Sequence, residues 1–260
     1  MPFQMDYGWL EQGITELSNI PRSYYGRLSG ITKKSDRDIV TEADYECERA
    51  IIKRLERYYP GYNILAEESS YKDKGSNYTW VIDPLDGTIF FSRGIPFWSV
   101  SIGLMYKDEI IVGAVSNPML DEVFFAEKGS GAFCNGNKIN VSFESELSAA
   151  ATLIDYATDL TSVNKAISAM KVIANNSRFV RSFACEVFEL MAEASGKFDA
   201  NLCYGARLWD IAAAKVILEE AGGMLTNIDG SQINPYKERF DVLATNGILH
   251  ELFINLIKTD

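Results

Sequence analysis

Apolar residues recur along the first part of the chain with the spacing of buried helix faces. Between Thr41 and Tyr59 they repeat every three or four positions, which predicts an amphipathic helix. Thr41 followed by Asp44 three residues later is a capping-box pattern, so this helix is predicted to begin there. A first helix is predicted from Gln4 to Ser18.

Short apolar runs bounded by turn signals predict β-strands in the following segment. The strands Asn63–Ala66 and Trp80–Ile82 each end next to acidic residues. An alternating pattern and tight turns then predict an antiparallel meander. Its three strands are predicted at residues 98–106, 110–116 and 123–127.

The pattern changes after a polar, acidic stretch at residues 142–148. Beyond it, predicted helices at 162–174, 186–194 and 209–221 alternate with predicted strands at 179–183, 200–204 and 224–226. Such alternation is typical of α/β architecture. We therefore predict an N-terminal α+β half, residues 1–145, and a C-terminal α/β half, residues 146–260.

Composition limits the class of protein and its partners. The 260 residues are 47% hydrophobic, enough for a sizeable core, and 25 basic against 36 acidic residues give a net charge of −11. This balance disfavours nucleic acid and anionic membranes as partners, because both attract basic surfaces. The N-terminus lacks the pattern of a signal peptide and the four cysteines are scattered. We expect reduced thiols and a cytoplasmic location.

The chain contains a single histidine, His250. That count excludes Ser-His-Asp and Cys-His catalysis as well as histidine-ligated zinc sites. Any chemistry must therefore use carboxylates, hydroxyl groups and metal ions. His250 itself is predicted to lie on the surface of a C-terminal amphipathic segment.

The most informative stretch runs from Trp80 to Thr88. Its apolar part ends at Asp83 and Asp86, and a Gly-Thr corner follows directly. Carboxylate oxygens are the ligands that Mg²⁺ prefers, and free N–H groups at a turn or helix start bind phosphate. The stretch therefore indicates a phosphotransfer or phosphatase site, although Asp-Pro-x-Asp-Gly is also favourable turn chemistry.

Four acidic residues are predicted at the ends of elements. Glu67, Asp83 and Asp86 follow strands, whereas Asp210 opens a helix, where the helix dipole alone also favours an acid. Taken together, and because histidine-based catalysis is excluded, these four acids favour a metal site.

The chain resembles the inositol monophosphatase superfamily of Mg²⁺-dependent, lithium-sensitive phosphatases over nearly its whole length. The motifs that carry the resemblance lie at residues 65–69, 80–88 continuing through 94–102, 209–213 with 219–223 and, more weakly, 38–44. The resemblance implies a layered αβαβα sandwich, assembled as a homodimer, that binds two or three Mg²⁺ ions.

The resemblance also implies roles for individual residues. The implied metal ligands are the side chains of Glu67, Asp83, Asp86 and Asp210 and the carbonyl of Leu85. Thr88, oriented by Asp44, would position and help deprotonate the attacking water, and Glu67 would help to place a third ion. The N–H groups of Gly87 and Thr88 would hold the phosphate.

Three departures from the family pattern bear on the substrate. Cys203 stands seven residues before Asp210, where inositol monophosphatases commonly carry a glutamate that contacts sugar hydroxyls. Phe90 replaces the asparagine of the usual Asp-Gly-Thr-x-Asn run, for which we expect local repacking. Arg207 is either a surface charge or a contact for a second anionic group.

Substrate contacts are expected from the metal ligands and from the segments that differ. The residues predicted to bind substrate are Asp86, Gly87, Thr88, Glu186, Cys203, Arg207 and Asp210. A lysine near the site is placed at Lys33, with Lys34 as the neighbouring register.

The favoured prediction is a Mg²⁺-dependent phosphomonoesterase that acts on a small sugar or polyol phosphate. A fructose-1,6-bisphosphatase-like or histidinol-phosphatase-like member stays open, and a nucleotide 3′-phosphatase is less favoured. Outside this class, the chain could be a non-catalytic partner of a transcription or protein complex, or could hold a purely structural Mg²⁺.

Overall fold

Two large β-sheets and one two-stranded sheet form the framework of the computed structural model, which describes residues 7–28, 30–69 and 71–258. The helices are α1 (Trp9–Tyr24), α2 (Glu42–Tyr58), α3 (Thr88–Ser92), α4 (Leu160–Asn176), α5 (Glu186–Ala194), α6 (Leu208–Glu220) and α7 (His250–Lys258). The strands are β1 (Ile31–Lys33), β2 (Ile39–Thr41), β3 (Asn63–Ala66), β4 (Tyr78–Asp86), β5 (Ser99–Tyr106), β6 (Glu109–Asn117), β7 (Glu122–Glu127), β8 (Ala132–Cys134), β9 (Asn137–Lys138), β10 (Ala151–Tyr156), β11 (Phe179–Arg181), β12 (Ala200–Ala206), β13 (Met224–Asn227) and β14 (Phe240–Thr245).

The first sheet has the strand order β3-β4-β5-β6-β7-β8-β9. β3 pairs with β4 in parallel and the remaining pairs are antiparallel, so the predicted meander is confirmed. β4 is longer than the predicted strand Trp80–Ile82. Its ladder to β5 continues across a bulge to Asp86, so both aspartates belong to the strand.

The second sheet is mixed, with the order β11-β10-β12-β14-β13. β10 pairs in parallel with β11 and β12, whereas β14 is antiparallel to both β12 and β13. The predicted alternation of helix and strand is present as α4-β11-α5-β12-α6-β13. The prediction omitted β10 before this run and β14 after it, and β14 makes the sheet mixed.

The helices lie in three layers around the two sheets. α1 and α2 pack on one face of the first sheet, where Trp80 and Ile82 of β4 point toward them. Val81, which points the other way, joins the core shared with α5 and α6. α4 and α7 cover the outer face of the second sheet. The layers give the αβαβα sandwich that the sequence predicted.

Helix α6 lies against the first sheet at two glycines. A Cβ on Gly103 would lie 3.1 Å from the Ala213 nitrogen, and one on Gly113 would lie 2.7 Å from Cγ1 of Val216. Only glycine allows this approach, which places a helix from the second part of the chain directly on the first sheet. The division into halves at residues 145 and 146 stays a prediction.

Two local predictions need correction. The first helix, α1, continues beyond the predicted end at Ser18, through the buried Pro21 to Tyr24, whereas its predicted start, Gln4, lies outside the described residues. His250 is 2% exposed rather than on the surface. Its two ring nitrogens each lie 2.9 Å from a threonine hydroxyl, those of Thr226 and Thr245. Burial lowers the pKa of His250, which is a buried structural residue.

All four cysteines are free thiols in the structure. Among the described helices, none is both long enough and apolar enough to cross a lipid bilayer.

Candidate active site

The end of β4 aims two carboxylates into one cavity. β4 and β5 pair at Asp83↔Ser101 and next at Asp86↔Ser99, so β4 carries one extra residue between them. A bulge of this kind bends a strand and re-aims its side chains. Asp83 is 2% exposed, and its Oδ1 accepts a hydrogen bond from the Leu85 N–H at 3.0 Å.

The turn after β4 brings a backbone corner and a hydroxyl group to the same place. Gly87 has a φ of 86°, and a Cβ there would lie 2.9 Å from the Phe97 carbonyl oxygen. Glycine is therefore required for this turn. α3 begins at Thr88, so the N–H groups of its first turn lack partners within the helix.

Thr88 is held by the first turn of α2. Its Oγ1 lies 3.0 Å from Oδ1 of Asp44 and 3.0 Å from the Leu85 carbonyl oxygen. Asp44 is fully buried, and its Oδ2 accepts hydrogen bonds from the N–H and the hydroxyl of Thr41. The predicted capping box is confirmed, and its Asp44 serves Thr88 as well.

The remaining acids come from β3 and α6. Glu67 follows β3, and its N–H donates to the Ile82 carbonyl at 3.2 Å, which extends the parallel pairing to β4. Asp210 lies in the first turn of α6, and its Oδ2 accepts the Arg207 N–H at 2.7 Å. These backbone bonds fix where both carboxylates lie.

One cavity of about 490 Å³ contains nearly all the residues that the sequence singled out. Its lining includes Glu67, Asp83, Leu85, Asp86, Gly87, Thr88, Glu186, Cys203, Arg207 and Asp210. Asp44 lies behind Thr88 and reaches the cavity through the hydroxyl contact. The structure thus brings these residues together, while their roles stay predictions.

The acidic side chains in the cavity disfavour one another's ionised form. Burial, followed by Glu67, Asp86 and Asp210, raises the pKa of Asp83 well above its usual value. Burial also raises the pKa of Asp86 to about 7, although the Cys185 thiol, 2.7 Å from its Oδ2, opposes the rise. Four mutually repelling, oxygen-only side chains are a donor set that fits Mg²⁺.

The lysine at the site is Lys34. Its Nζ lies 2.8 Å from Oε1 of Glu67 and 2.5 Å from Oε1 of Glu68. Burial disfavours the ammonium, but the two glutamates outweigh it and raise the pKa of Lys34. Lys33, the predicted residue, is exposed at the end of β1 and is not part of the cavity lining. Consecutive side chains of an extended chain point apart, so only one of the two can face the site.

Glu186 stands beside Cys203 although the two come from different elements. Burial and then Asp155 raise the pKa of Glu186, and a contact with the Cys203 thiol lowers it in part. Glu186 opens α5, and Cys203 lies in β12. The structure therefore brings Glu186 and Cys203, both predicted as substrate contacts, next to each other.

Arg207 lines the cavity but already has a carboxylate partner. Its Nη1 donates to Oε1 of Glu238 at 2.7 Å and to the Glu238 carbonyl at 3.1 Å. The guanidinium also lies over the Trp209 ring, 5.9 Å from its centroid. Arg207 therefore has a partner within the protein, but the Glu238 side chain is 82% exposed, so the ion pair is a weak one at the surface.

Sequence reasoning did not identify Asp155 or Glu189. Together with Glu186 they offer carboxylate oxygens that all lie within 4.8 Å of one another. Two signals were available: Asp155 follows an apolar run, as Glu67 does, and Glu186 and Glu189 are three residues apart in an apolar helix.

Comparison with known proteins gives consistent results along the chain. Residues 10–259 match the model of the inositol monophosphatase family. The chain is 34% identical over 246 residues to a fructose-1,6-bisphosphatase/inositol-1-monophosphatase of Thermotoga maritima, covering 94% of this chain and 93% of the relative. It is 36% identical over 256 residues to inositol monophosphatase 2 of Solanum lycopersicum, covering 95% and 96%.

The fold of this chain is also similar to those of solved structures. An IMPase structure from Thermotoga maritima superposes with a TM-score of 0.88 at 29% sequence identity. The superposition covers 97% of this chain and 96% of that one.

Proposed function

We infer that this chain, which belongs to the inositol monophosphatase family, is a Mg²⁺-dependent phosphomonoesterase that hydrolyses a small sugar or polyol phosphate. Members of this family are phosphatases. The observation that carries the proposal is the meeting of Glu67, Asp83, Asp86 and Asp210 in the cavity that also contains Thr88.

Metal binding follows from the donor set. Glu67, Asp83, Asp86 and Asp210, with the Leu85 carbonyl, would hold two or three Mg²⁺ ions. The chemistry expected of bound Mg²⁺ is Lewis-acid activation of a water molecule and neutralisation of phosphoryl charge.

The protein's own groups would handle the proton and the phosphate. Thr88 Oγ1 accepts a proton from the attacking water while its own proton passes to Oδ1 of Asp44, 3.0 Å away. Burial raises the pKa of Asp44 to about 6, which suits a proton acceptor near neutral pH. The N–H groups of Gly87 and Thr88 would bind the phosphoryl oxygens as charge develops on them.

A monophosphate is favoured over a bisphosphate by the state of Arg207. Its bond to Glu238 leaves less positive charge for a second phosphate than the sequence suggested. The homodimer and the cytoplasmic location, both expected from the sequence, stay proposals.

Phosphate release from a substrate panel tests this function. The panel contains inositol 1-phosphate, fructose 1,6-bisphosphate, histidinol phosphate and adenosine 3′,5′-bisphosphate, each with Mg²⁺ and with EDTA. We expect Mg²⁺-dependent release that is greater from a monophosphate than from either bisphosphate. Release that persists in EDTA would contradict the metal mechanism, and faster release from fructose 1,6-bisphosphate would contradict the substrate preference.

A further inference from the structure

A second group of acidic side chains adjoins the predicted metal ligands. We call Asp155, Glu186 and Glu189 the α5 acid cluster, because two of them lie one turn apart on α5 and the third lies near the end of β10. One carboxylate oxygen from each lies within 4.8 Å of the other two. Asp155 and Glu186 line the same cavity as Thr88, and the fully buried Glu189 lies next to them outside the lining.

Two of the three acids are deeply buried, and Asp155 is half-buried. Glu186 is 4% exposed and Glu189 is fully buried. In the part of the chain that the structure describes, Oε2 of Glu186 and Oε2 of Glu189 have no hydrogen-bond partner. The other oxygen of each does have one: Glu186 Oε1 accepts from Asn201 Nδ2 at 3.3 Å, and Glu189 Oε1 accepts from the Phe183 N–H at 2.5 Å.

No counter-charge accompanies these acids. Within residues 7–28, 30–69 and 71–258, no ion pair joins a member of the cluster to a lysine or arginine. A buried carboxylate without a partner is strongly unfavourable, and neutral donors offset only part of its cost. Two of the three acids have an unpartnered oxygen, and one oxygen of each acid lies within 4.8 Å of the other two, so the arrangement is suited to a positively charged ligand.

We propose that the α5 acid cluster is a cation-binding subsite of the phosphate-ester cavity, and that it binds the primary ammonium group of an amino-alcohol phosphate. The proposal rests on the phosphatase function inferred above. The substrate would place its phosphate at Gly87 and Thr88 and its amine at Asp155, Glu186 and Glu189.

The geometry favours an ammonium group over a metal ion. An ammonium has three N–H donors, and the cluster offers one oxygen from each of three carboxylates. Since a charge-assisted N–H···O bond is about 2.8 Å long, one nitrogen can bridge acceptors about 4.5 Å apart. Mg²⁺ usually keeps several waters and takes only one or two carboxylates, so it would leave at least one of the three acids unmatched. A hydroxyl group has one O–H donor, so it could donate to only one of the three carboxyl groups.

Matched substrates test the proposal. The ratio of kcat/KM is measured for terminal aminoalkyl phosphates against hydroxyalkyl phosphates of equal chain length, over a series of lengths and with Mg²⁺. At the length that spans the two subsites, we expect the amine to be preferred by about tenfold or more, as for hydrogen bonds to a charged group. Glu189→Gln and Asp155→Asn should each lower this preference by about tenfold.

Glu193→Gln provides the matched control. Glu193 is a fully buried carboxyl group one turn further along α5, both of its oxygens lack hydrogen-bond partners among the described residues, and it lies outside the cluster. Its substitution removes a similar buried charge and should leave the amine preference unchanged.

The outcomes separate this proposal from the function on which it rests. Hydrolysis of the hydroxyalkyl phosphates with no amine preference at any length overturns the ammonium subsite but leaves the phosphatase intact. Absence of phosphate release from both series and also from the substrate panel above would contradict the phosphatase function itself, whereas release from the panel alone would overturn only the ammonium subsite. Electron paramagnetic resonance of added Mn²⁺ supplies a third readout. One fewer bound Mn²⁺ in Glu189→Gln than in Glu193→Gln would assign the cluster to a metal ion and overturn the ammonium ligand.

Discussion

The hydroxyl oxygen of Thr88 lies 3.0 Å from Oδ1 of Asp44, across 44 residues of sequence. The other carboxylate oxygen of Asp44 is held by the Thr41 N–H at 2.8 Å and by the Thr41 hydroxyl. The cap of α2 therefore also orients the hydroxyl group at the start of α3. A single aspartate links the folding of a helix to the proposed proton transfer.

Removing the Thr88 hydroxyl should slow the chemical step while substrate still binds. For Thr88→Val we expect kcat to fall by about 10²- to 10⁴-fold with little change in KM, because a general-base path is lost. Thr88→Ser keeps the hydroxyl and should retain most of the activity. Steady-state kinetics on one substrate gives both constants, and equal kcat values for the valine and serine variants would contradict the role of the hydroxyl.

Asp83→Asn should abolish turnover without unfolding the protein. Asp83 is buried among three other carboxylates, so the substitution removes a repulsive charge along with a metal ligand. In EDTA we expect the melting temperature of the variant to equal or exceed that of the wild type. Added Mg²⁺ should raise the melting temperature of the variant by less than that of the wild type. The exposed Asp121, changed to asparagine, is the control, and an active Asp83→Asn enzyme would rule out the metal assignment.

The metal-free protein should lose stability as the pH rises toward neutrality. Burial raises the pKa of Asp44 and Asp155 to about 6 and of Glu68 and Asp86 to about 7. The folded state therefore binds more protons than the unfolded state between about pH 4 and pH 7, and the free energy of unfolding falls as the pH rises through this window. Mg²⁺ should reverse this trend, since it binds the deprotonated carboxylates.

Thermal melts at about pH 5 and about pH 8, each in EDTA and in Mg²⁺, measure this effect. We expect the melting temperature in EDTA to be lower at the higher pH and the increase caused by Mg²⁺ to be larger there. If Mg²⁺ raised the melting temperature by the same amount at both pH values, metal binding would not be coupled to these carboxyl groups.

Gly113→Ala should weaken both stability and activity. The new methyl group would overlap the Ala213 carbonyl oxygen and lie 2.7 Å from Cγ1 of Val216, so α6 must move away from the sheet. Overpacking of this kind costs about 1–3 kcal/mol. Because α6 carries Asp210, we also expect a weaker apparent affinity for Mg²⁺.

Gly61→Ala is the control for that substitution, because a Cβ at Gly61 meets no atom within 4 Å. Denaturant unfolding and a Mg²⁺ titration of activity measure the two effects. A Gly113→Ala protein as stable as the control would show that α6 is not held by this close contact.

Local sequence patterns predicted the elements that combine a clear period with a capping or turn signal. The helix after Thr41 and the strand Asn63–Ala66 have the predicted bounds within a residue. β14 was missed because its position between β12 and β13 depends on long-range pairing. His250 was placed on the surface because its partners, Thr226 and Thr245, are brought to it only by the second sheet.

The same distinction applies to the site. The residues around Asp83 could be assigned to the site from the sequence because they form one continuous motif. The contact of Glu186 with Cys203, and the presence of Asp155 beside them, depend on how α5, β12 and β10 pack together. The choice between Lys33 and Lys34 likewise required the direction of each side chain at the end of β1.

The pairing of Glu186 with Cys203 has a consequence for how such enzymes diverge. The carboxylate comes from α5 and the thiol from β12, whereas Asp83, Asp86 and Thr88 come from β4 and the turn that follows it. A carboxyl group on either element would therefore lie at the same wall of the cavity. New substrates can be acquired by substitutions in α5 and β12 while the residues proposed to carry out hydrolysis are inherited unchanged.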